Sequence, residues 1–413
     1  MAESVSTPTE KVPHPKGLKY LFLTEMWERF GYYLMLGIFL LYLKDGKGMG
    51  FSPSKASDIV GTYLGLVYLT PFLGGLIADK LLGYRISIII GGLLMAAGYC
   101  LLAVPGESVL WVSILLIIIG NGFFKPNIST LLGNLYSDEK YKSKKDSGYS
   151  IFYMGINVGA FICNFVAAYM RNNFGWGYAF LAAGIGMLVG LIVFLIGTRH
   201  IREADITQKS SNSDITKVLL YVFLPAIACG GLAWMIPGNI FGSDSNDAFL
   251  FGCIPVIVFY ASLLFRSKKE ERAQIKALLS IFLIMVVFWA VFKQNATALT
   301  TFAENYTARE IPETSTKYLK PWGMVQELTY SKDSVPLMDE KLRTAVDENH
   351  NVIKSYDYPS YFINQPKEKL PEHGEKVSLI STEIFQSINP FFIVILTPVV
   401  LGFFFRLKKK GKE

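Results

Sequence analysis

The chain has 413 residues, 51% of them hydrophobic and only 18% charged, with mean hydropathy +0.35 and a formal net charge of +7. Soluble domains carry about 25% charged residues, so this chain lacks the polar surface to coat a water-soluble globule. Disordered, collagen-like and disulfide-scaffold classes are excluded as well. Cys100, Cys163, Cys229 and Cys253 lie in apolar runs without metal-ligand spacing or a loop framework for disulfides. The polar N-terminus, MAESVSTPTEKVPHPKG, lacks the pattern of a cleavable secretory signal.

A bilayer-crossing helix needs about 20 mostly apolar residues. Ten segments fit: 18–43, 56–78, 86–104, 108–134, 148–170, 177–197, 216–236, 247–265, 273–304 and 382–405. Buried helices of a large soluble core are the alternative, but the connecting loops are too short to shield so many apolar faces. With the N-terminus in the cytoplasm, that side collects Lys11, Lys16, Lys19, Lys80, Arg85, Lys140, Lys142, Lys144, Lys145, Arg199, Arg202, Lys209 and Lys217. It also collects Arg266, Lys268, Lys269, Arg272, Lys276 and the tail Arg406, Lys408, Lys409, Lys410 and Lys412. The opposite short loops hold only Lys44, Lys47, Lys55 and Arg171. The basic excess is therefore a topology signal rather than a nucleic-acid surface. The expectation is a multi-pass protein of the cytoplasmic (inner) membrane, N-terminus in the cytoplasm, embedded in the lipid bilayer. Residues 306–380, long, polar and of mixed charge, would lie outside.

Ionisable residues inside such segments are costly and are candidate functional groups. In the first segment Glu25, Glu28, Arg29 and Tyr32 follow helical i, i+3, i+4, i+7 spacing and share one face. Two carboxylates beside one guanidinium make a proton-sensitive cluster, with one carboxylate paired to Arg29. The alternative is a static ion-pair network that fixes helix packing. The second segment offers Tyr63 and a mid-span Tyr68, as cavity lining or as packing. GLIADKLLGYR then reads as a very tight cytoplasmic turn in which Gly75 and Gly83 bracket Asp79 and Lys80, with Arg85 following. It is also readable as an ordinary short turn.

The fourth segment carries GNGFFKPNIS, with Lys125 near mid-membrane. Lys125 would pair with an acid or bind an anion, or else snorkel to the interface. Pro126 would kink the helix and free a carbonyl. In the fifth, Tyr153 and Asn157 are i, i+4, with Gly155 and Gly159 permitting close packing. Asn157 would contact a bound solute or bond across helices. The seventh and eighth segments carry no such residues. The ninth holds Trp289, Lys293 and Gln294. The tenth holds Asn389 before Pro390, a predicted kink, and Pro398 as a second break. Interrupted helices near the midplane are where carriers build sites. None of His14, His200, His350 and His373 lies in a segment, which excludes a histidine proton relay. There is no Walker motif, zinc pattern, HExxH or nucleophile–base set, so no enzyme, metal site or cofactor is expected.

Four pieces together, ExxERF (Glu25, Glu28, Arg29, Phe30), GLIADKLLGYR, GNGFFKPNIS and FYMGINVGAF, resemble the proton-dependent oligopeptide transporter (POT) family of the major facilitator superfamily. FWAVFKQN and FQSINPFF are similar to its seventh and eighth core helices, and segments seven and eight to the inserted pair of its bacterial members. The resemblance implies an all-α polytopic membrane protein with a facilitator-type bundle of about ten transmembrane helices. It would comprise a six-helix N-terminal bundle (1–199), a linker with two inserted helices (200–271) and a partial C-terminal bundle of two helices (272–413) with the long segment 306–380.

By resemblance the function is proton-coupled import of di- and tripeptides by alternating access, by a monomer, with protons as the coupling ion. Glu25, Glu28 and Arg29 would couple protons. Arg29 and Lys125 would hold the peptide carboxylate. Tyr32, Tyr33, Tyr68, Tyr153, Asn157, Trp289 and Asn389 would line the peptide site. Asp79, Lys80, Arg85 and Lys293 would act in gating. Three departures stand out. Leu36 replaces an Arg found in many members, and Lys293 replaces a Glu, so an external gate bridge would be reversed or absent. KKKGKE also stands where the next cytoplasmic loop would begin, so a twelve-helix core would be cut after its eighth helix, without the acid expected to hold the peptide N-terminus. A facilitator-type carrier of another solute and a truncated, non-transporting fragment are the alternatives.

Overall fold

A computed structural model describes residues 13–206, 219–238, 240–336 and 353–409. The linker QKSSNSD, Lys11, Lys209, Lys217, His350, Lys410 and Lys412 lie outside the described residues, as do residues 216–218 of the seventh segment. Each of the ten segments is helical in what remains. The helices of more than ten residues among the described residues are α1 (Gly17–Lys44), α2 (Pro53–Ile77), α3 (Tyr84–Leu102), α4 (Glu107–Leu135), α5 (Lys145–Phe174), α6 (Trp176–Ile201), α7 (Leu224–Trp234), α8 (Asp244–Arg266), α9 (Arg272–Phe292) and α10 (Ile388–Lys409). Among the described residues, eight helices are long and apolar enough to cross a membrane. α7 belongs to a shorter apolar stretch, Leu219–Trp234. α1 is long enough but carries the ionisable cluster.

α1 is the axis of the bundle. It packs on α5 and α6 and touches α2, α3 and α4, and 20 of its 28 residues are buried, which places its polar face in protein rather than lipid. Small residues permit the approach. A Cβ on Gly159 of α5 would run into the Met26 carbonyl of α1, and one on Gly155 would meet the Phe22 ring at 2.9 Å. α2 meets α4 as closely, because a Cβ on Gly74 would collide with the Gly122 carbonyl. That carbonyl lies four residues before Pro126, which has no N–H to give it. α4 remains helical across Pro126, so the proline frees a carbonyl as expected, and α2 packs over it.

The basic ends come together. His14 Nδ1 lies 2.7 Å from the Tyr136 hydroxyl, and the Asn134 amide donates to the Ala204 carbonyl at 3.0 Å. The GLIADKLLGYR turn is shorter than its sequence suggests. α2 runs on as a π-helical turn, Ala78–Leu82, that includes Asp79 and Lys80, and only Gly83, at φ 77°, breaks the helix. The Asp205 carboxylate then accepts from the backbone N–H of Tyr84 at 2.9 Å, capping the positive end of α3.

α7 and α8 pack as a pair. Ser243 and Ser245 donate to Asp58 of α2 at 2.7 and 2.5 Å, and so moor α8 to the bundle. α9 has no buried residue. α10 packs on α5, with Phe391 5.5 Å from Phe161 between ring centres. Pro390 sits in the first turn of α10, after a 3-10 turn at Thr382–Ser387, so the expected kink is a change of helix type just before it.

The segment between α9 and α10 has β-structure that the sequence reading missed. β1 (Val325–Thr329) pairs antiparallel with β4 (Lys376–Ile380), and β2 (Asp333–Pro336) with β3 (Lys354–Asp357). Tyr361, Phe362 and Leu379 form its small core. Asn172, at the end of α5, fastens it to the bundle. Its amide nitrogen, with two N–H groups to share, lies within hydrogen-bond distance of the Gly323 carbonyl (3.0 Å), the Val325 carbonyl (3.0 Å) and the Ser381 hydroxyl (2.8 Å). Asn172→Ala strands these acceptors, at about 1–3 kcal/mol for a buried unsatisfied group. The expected result is amide exchange at least about tenfold faster in β1 and β4, measured by hydrogen–deuterium exchange, with α1–α4 unchanged.

Candidate functional site

The polar face of α1 forms the centre of the site. Glu25, Glu28, Arg29 and Tyr32 are all at most 5% exposed. Arg29 binds both carboxylates rather than one. Its Nε lies 3.1 Å from Glu25 Oε1 and also contacts Glu28, while Nη2 donates to Glu28 Oε1 at 2.8 Å. The guanidinium carbon lies 5.1 Å from the Tyr32 ring centre, and Tyr33 packs edge-on against Tyr32 at 5.2 Å. Glu25 Oε2 and the hydroxyls of Tyr32, Tyr63 and Tyr99 are buried without a hydrogen-bond partner among the described residues.

Tyr68 of α2 organises a second group. Lys125 Nζ of α4 lies 4.5 Å from its ring centre. Lys293, in the 3-10 turn that follows α9, donates to the Tyr68 hydroxyl at 2.6 Å. The Trp289 ring lies 6.4 Å from the Tyr68 ring. α1, α2 and α4, which carry the two groups, pack against one another. Lys293 was expected at a gate; here it contacts the hydroxyl of the tyrosine whose ring Lys125 approaches.

Other expected residues are placed differently. Tyr153 is exposed on α5. Asn157 is buried, and its amide donates to the Tyr153 carbonyl at 2.9 Å within its own helix, so its nitrogen is turned to α5 itself rather than across helices. Asn389 is exposed in the first turn of α10. Its near neighbour Ser387 donates to the Phe161 carbonyl at 2.9 Å, so it stands beyond Asn157, toward the Arg171 end. Leu36 is buried in the apolar core. Asp79, Lys80 and Arg85 lie at the basic end, where Arg85 reaches Asp205 at 4.0 Å.

Sequence reasoning missed a set of contacts at the opposite end. Lys44 pairs with Glu304. Arg171 pairs with the fully buried Glu383 at 3.3 Å. Gln386 donates to the Gly37 carbonyl and the Asn164 amide to the Ser387 hydroxyl, at 3.3 and 3.0 Å. A cavity of about 700 Å³ beside this clasp is lined by Tyr42, Arg171, Trp176 and Glu327 among others. It belongs to the extramembrane end and contains none of the α1 carboxylates. The charge pattern offered a signal here: Lys44 and Arg171 were conspicuous as lone cations on a side otherwise poor in them.

The geometry agrees with what comparison finds. The profile described as PTR2, POT family, matches residues 85–325. The chain belongs to the POT family. It is 35% identical over 307 residues to a di-/tripeptide transporter of Lactococcus lactis subsp. lactis (strain IL1403), with 70% of this chain and 61% of that protein covered. It is 31% identical over 338 residues to the peptide transporter YePEPT of Yersinia enterocolitica subsp. palearctica, with 75% of this chain and 65% of that protein covered. The crystal structure of a variant of peptide transporter POT with sulfate superposes at a TM-score of 0.68 and 28% identity, over 97% of this chain and 70% of that one. The chain thus spans less than two thirds of the length of the curated relatives it matches. As a member of this family it is a multi-pass membrane protein of helical-bundle type.

Arg29→Gln would leave two buried carboxylates without their shared cation. Breaking a buried charge cluster costs about 3–5 kcal/mol. The expected outcome is a large loss of thermal stability in detergent, much of it recovered when Glu25→Gln and Glu28→Gln are added.

Proposed function

We propose that the protein is a proton-coupled symporter that imports di- and tripeptides by alternating access. The observation that carries this reading is the single guanidinium of Arg29 held by both Glu25 and Glu28 in the buried middle of the bundle. Protonation of either glutamate would loosen its hold on Arg29. Arg29 and Lys125 could then accept a peptide carboxylate, and a bound carboxylate would in turn favour protonation of the glutamates. Such reciprocity is the thermodynamic content of coupling. Tyr32, Tyr33, Tyr68 and Trp289 supply aromatic walls that tolerate varied side chains, and Tyr153 faces open space from α5. The names of the relatives, di-/tripeptide transporter and peptide transporter, support the substrate class.

The orientation follows from the charges. The ends that carry Lys16, Lys19, Lys80, Arg85, Lys140, Arg199 and Arg202 would face the cytoplasm, in the cytoplasmic (inner) membrane. The clasp of Lys44–Glu304 and Arg171–Glu383 would then close the outer side, leaving the site to open inward. Asp79, Lys80 and Arg85 would act at the inner gate.

The test is uptake of dialanine into proteoliposomes under an imposed inward proton gradient. Accumulation that collapses with a protonophore is expected. Lys125→Ala should raise the half-saturation concentration by at least about tenfold, as for loss of a charge-assisted hydrogen bond. Accumulation unaffected by the protonophore, or an unchanged half-saturation in Lys125→Ala, would contradict this reading.

A further inference from the structure

We infer that the cavity at the Arg171 end is a second peptide site, in which a short extended peptide adds as a strand to the free edge of β1. This goes beyond the symport reading and does not depend on it, because none of the α1 carboxylates lines the cavity.

The register of the small sheet shows which backbone groups are free. The Ser381 N–H donates to the Met324 carbonyl and the Tyr330 N–H to the Glu375 carbonyl. Residues of an antiparallel strand alternate in whether their backbone groups face the partner. Met324, Gln326, Leu328 and Tyr330 therefore turn theirs to β4, and Val325, Glu327 and Thr329 turn theirs away. β4 is bonded along both edges, because the Ile311 N–H donates to the Ser378 carbonyl and the Ile380 N–H to the Arg309 carbonyl. β1 is bonded to a strand along one edge only. On its other edge the Val325 carbonyl accepts from Asn172 at 3.0 Å. The Glu327 N–H and carbonyl on that edge have no partner among the described residues.

The cavity supplies the space and the charges that go with such an edge. Its volume of about 700 Å³ is that of a small-molecule site. Val325 and Glu327 line it from β1, Asp45 and Lys47 from the turn after α1, Arg171 from the end of α5 and Trp176 from the start of α6. The Arg171 side chain is 9% exposed, and its Nη2 makes no hydrogen bond among the described residues although Glu383 lies 3.3 Å away. The Trp176 ring centre, 5.2 Å from the guanidinium carbon, holds that cation in place without using its donors. The occupant with matching chemistry is a zwitterionic peptide. The middle residue of an extended tripeptide, about 10 Å long, can exchange both of its backbone bonds with Glu327, as in strand addition. Arg171 and Lys47 suit its carboxylate, and Asp45 suits its ammonium. A strand edge binds the backbone rather than the side chains, so the site accepts peptides of varied sequence.

Residue-resolved hydrogen–deuterium exchange of the purified chain in detergent, with and without trialanine, tests this. At a trialanine concentration of about ten times its Kd, exchange at the Val325 and Glu327 amides is expected to slow about tenfold, with the β4 amides unchanged. Glu327→Pro removes the outward N–H without touching the β1–β4 ladder, and should abolish the protection of Val325. Glu327→Gln keeps the N–H and should keep the protection. Lys125→Ala, which disables the site beside α1, should keep it too. Unchanged exchange at Val325 and Glu327 in the wild-type chain at saturating trialanine would overturn the inference. So would protection of Val325 that survives Glu327→Pro, or protection that disappears in Lys125→Ala. Loss of proton-driven uptake with protection intact would contradict the symport reading alone.

Discussion

A guanidinium cannot be left alone inside a membrane, and the first helix of this protein carries one at its buried middle. Arg29 is tolerable there only because Glu25 and Glu28 both bind it, and they are tolerable only because it binds them. The cluster cannot face lipid, so α1 must be enclosed by protein. This is why α1 is the axis of the bundle and why its neighbours present small residues to it. Gly159 of α5 lies directly against the Met26 carbonyl, one residue from Glu25. One electrostatic constraint thus sets the position of a helix, the composition of the helices around it and the location of the site.

The rest of the structure is asymmetric about that cluster. At the Lys44 and Arg171 end, the chain after α9 folds back and is fastened to α1 and α5 by ion pairs and by the amides of Asn164 and Asn172. Midway, the Lys293–Tyr68 contact ties the turn after α9 to α2. For a carrier that alternates between two states, such a clasp would be one of the elements that must open. Its partners are charged side chains and backbone carbonyls, which water can replace, rather than an apolar core.

Much of this was legible in the sequence, for a physical reason. Ten apolar stretches of bilayer length announce ten helices, and an ExxER pattern in such a stretch announces a buried cluster, because hydrocarbon admits nothing else. The four motifs carry the family resemblance on their own, because each is a short local pattern. What was not legible depends on partners far along the chain. Arg29 was expected to bind one carboxylate and binds two. Asn157 was weighed as a solute ligand or cross-helix bond, and its nitrogen instead donates within α5. Lys293 was assigned to a gate by the charge it replaces; its position on Tyr68 depends on how α9 approaches α2, which no local spacing records. The β-strands between α9 and α10 were missed because their pairing joins Val325 to Ile380 across a long and polar stretch. Asp205, Glu304 and Glu383 were missed because a lone acid in a loop or at the end of an apolar segment has no signature until its cation is placed beside it.

The central claim is that the Arg29 cluster links proton binding to peptide binding. The most direct measurement is the pH dependence of dialanine affinity, by equilibrium binding, for the wild-type chain and for the Glu25→Gln, Glu28→Gln double variant. If protonation of these glutamates frees Arg29 for the peptide carboxylate, wild-type affinity rises as pH falls, and the double variant binds with an affinity that no longer follows pH. An equal pH dependence in the two proteins would place the coupling proton elsewhere and contradict the account.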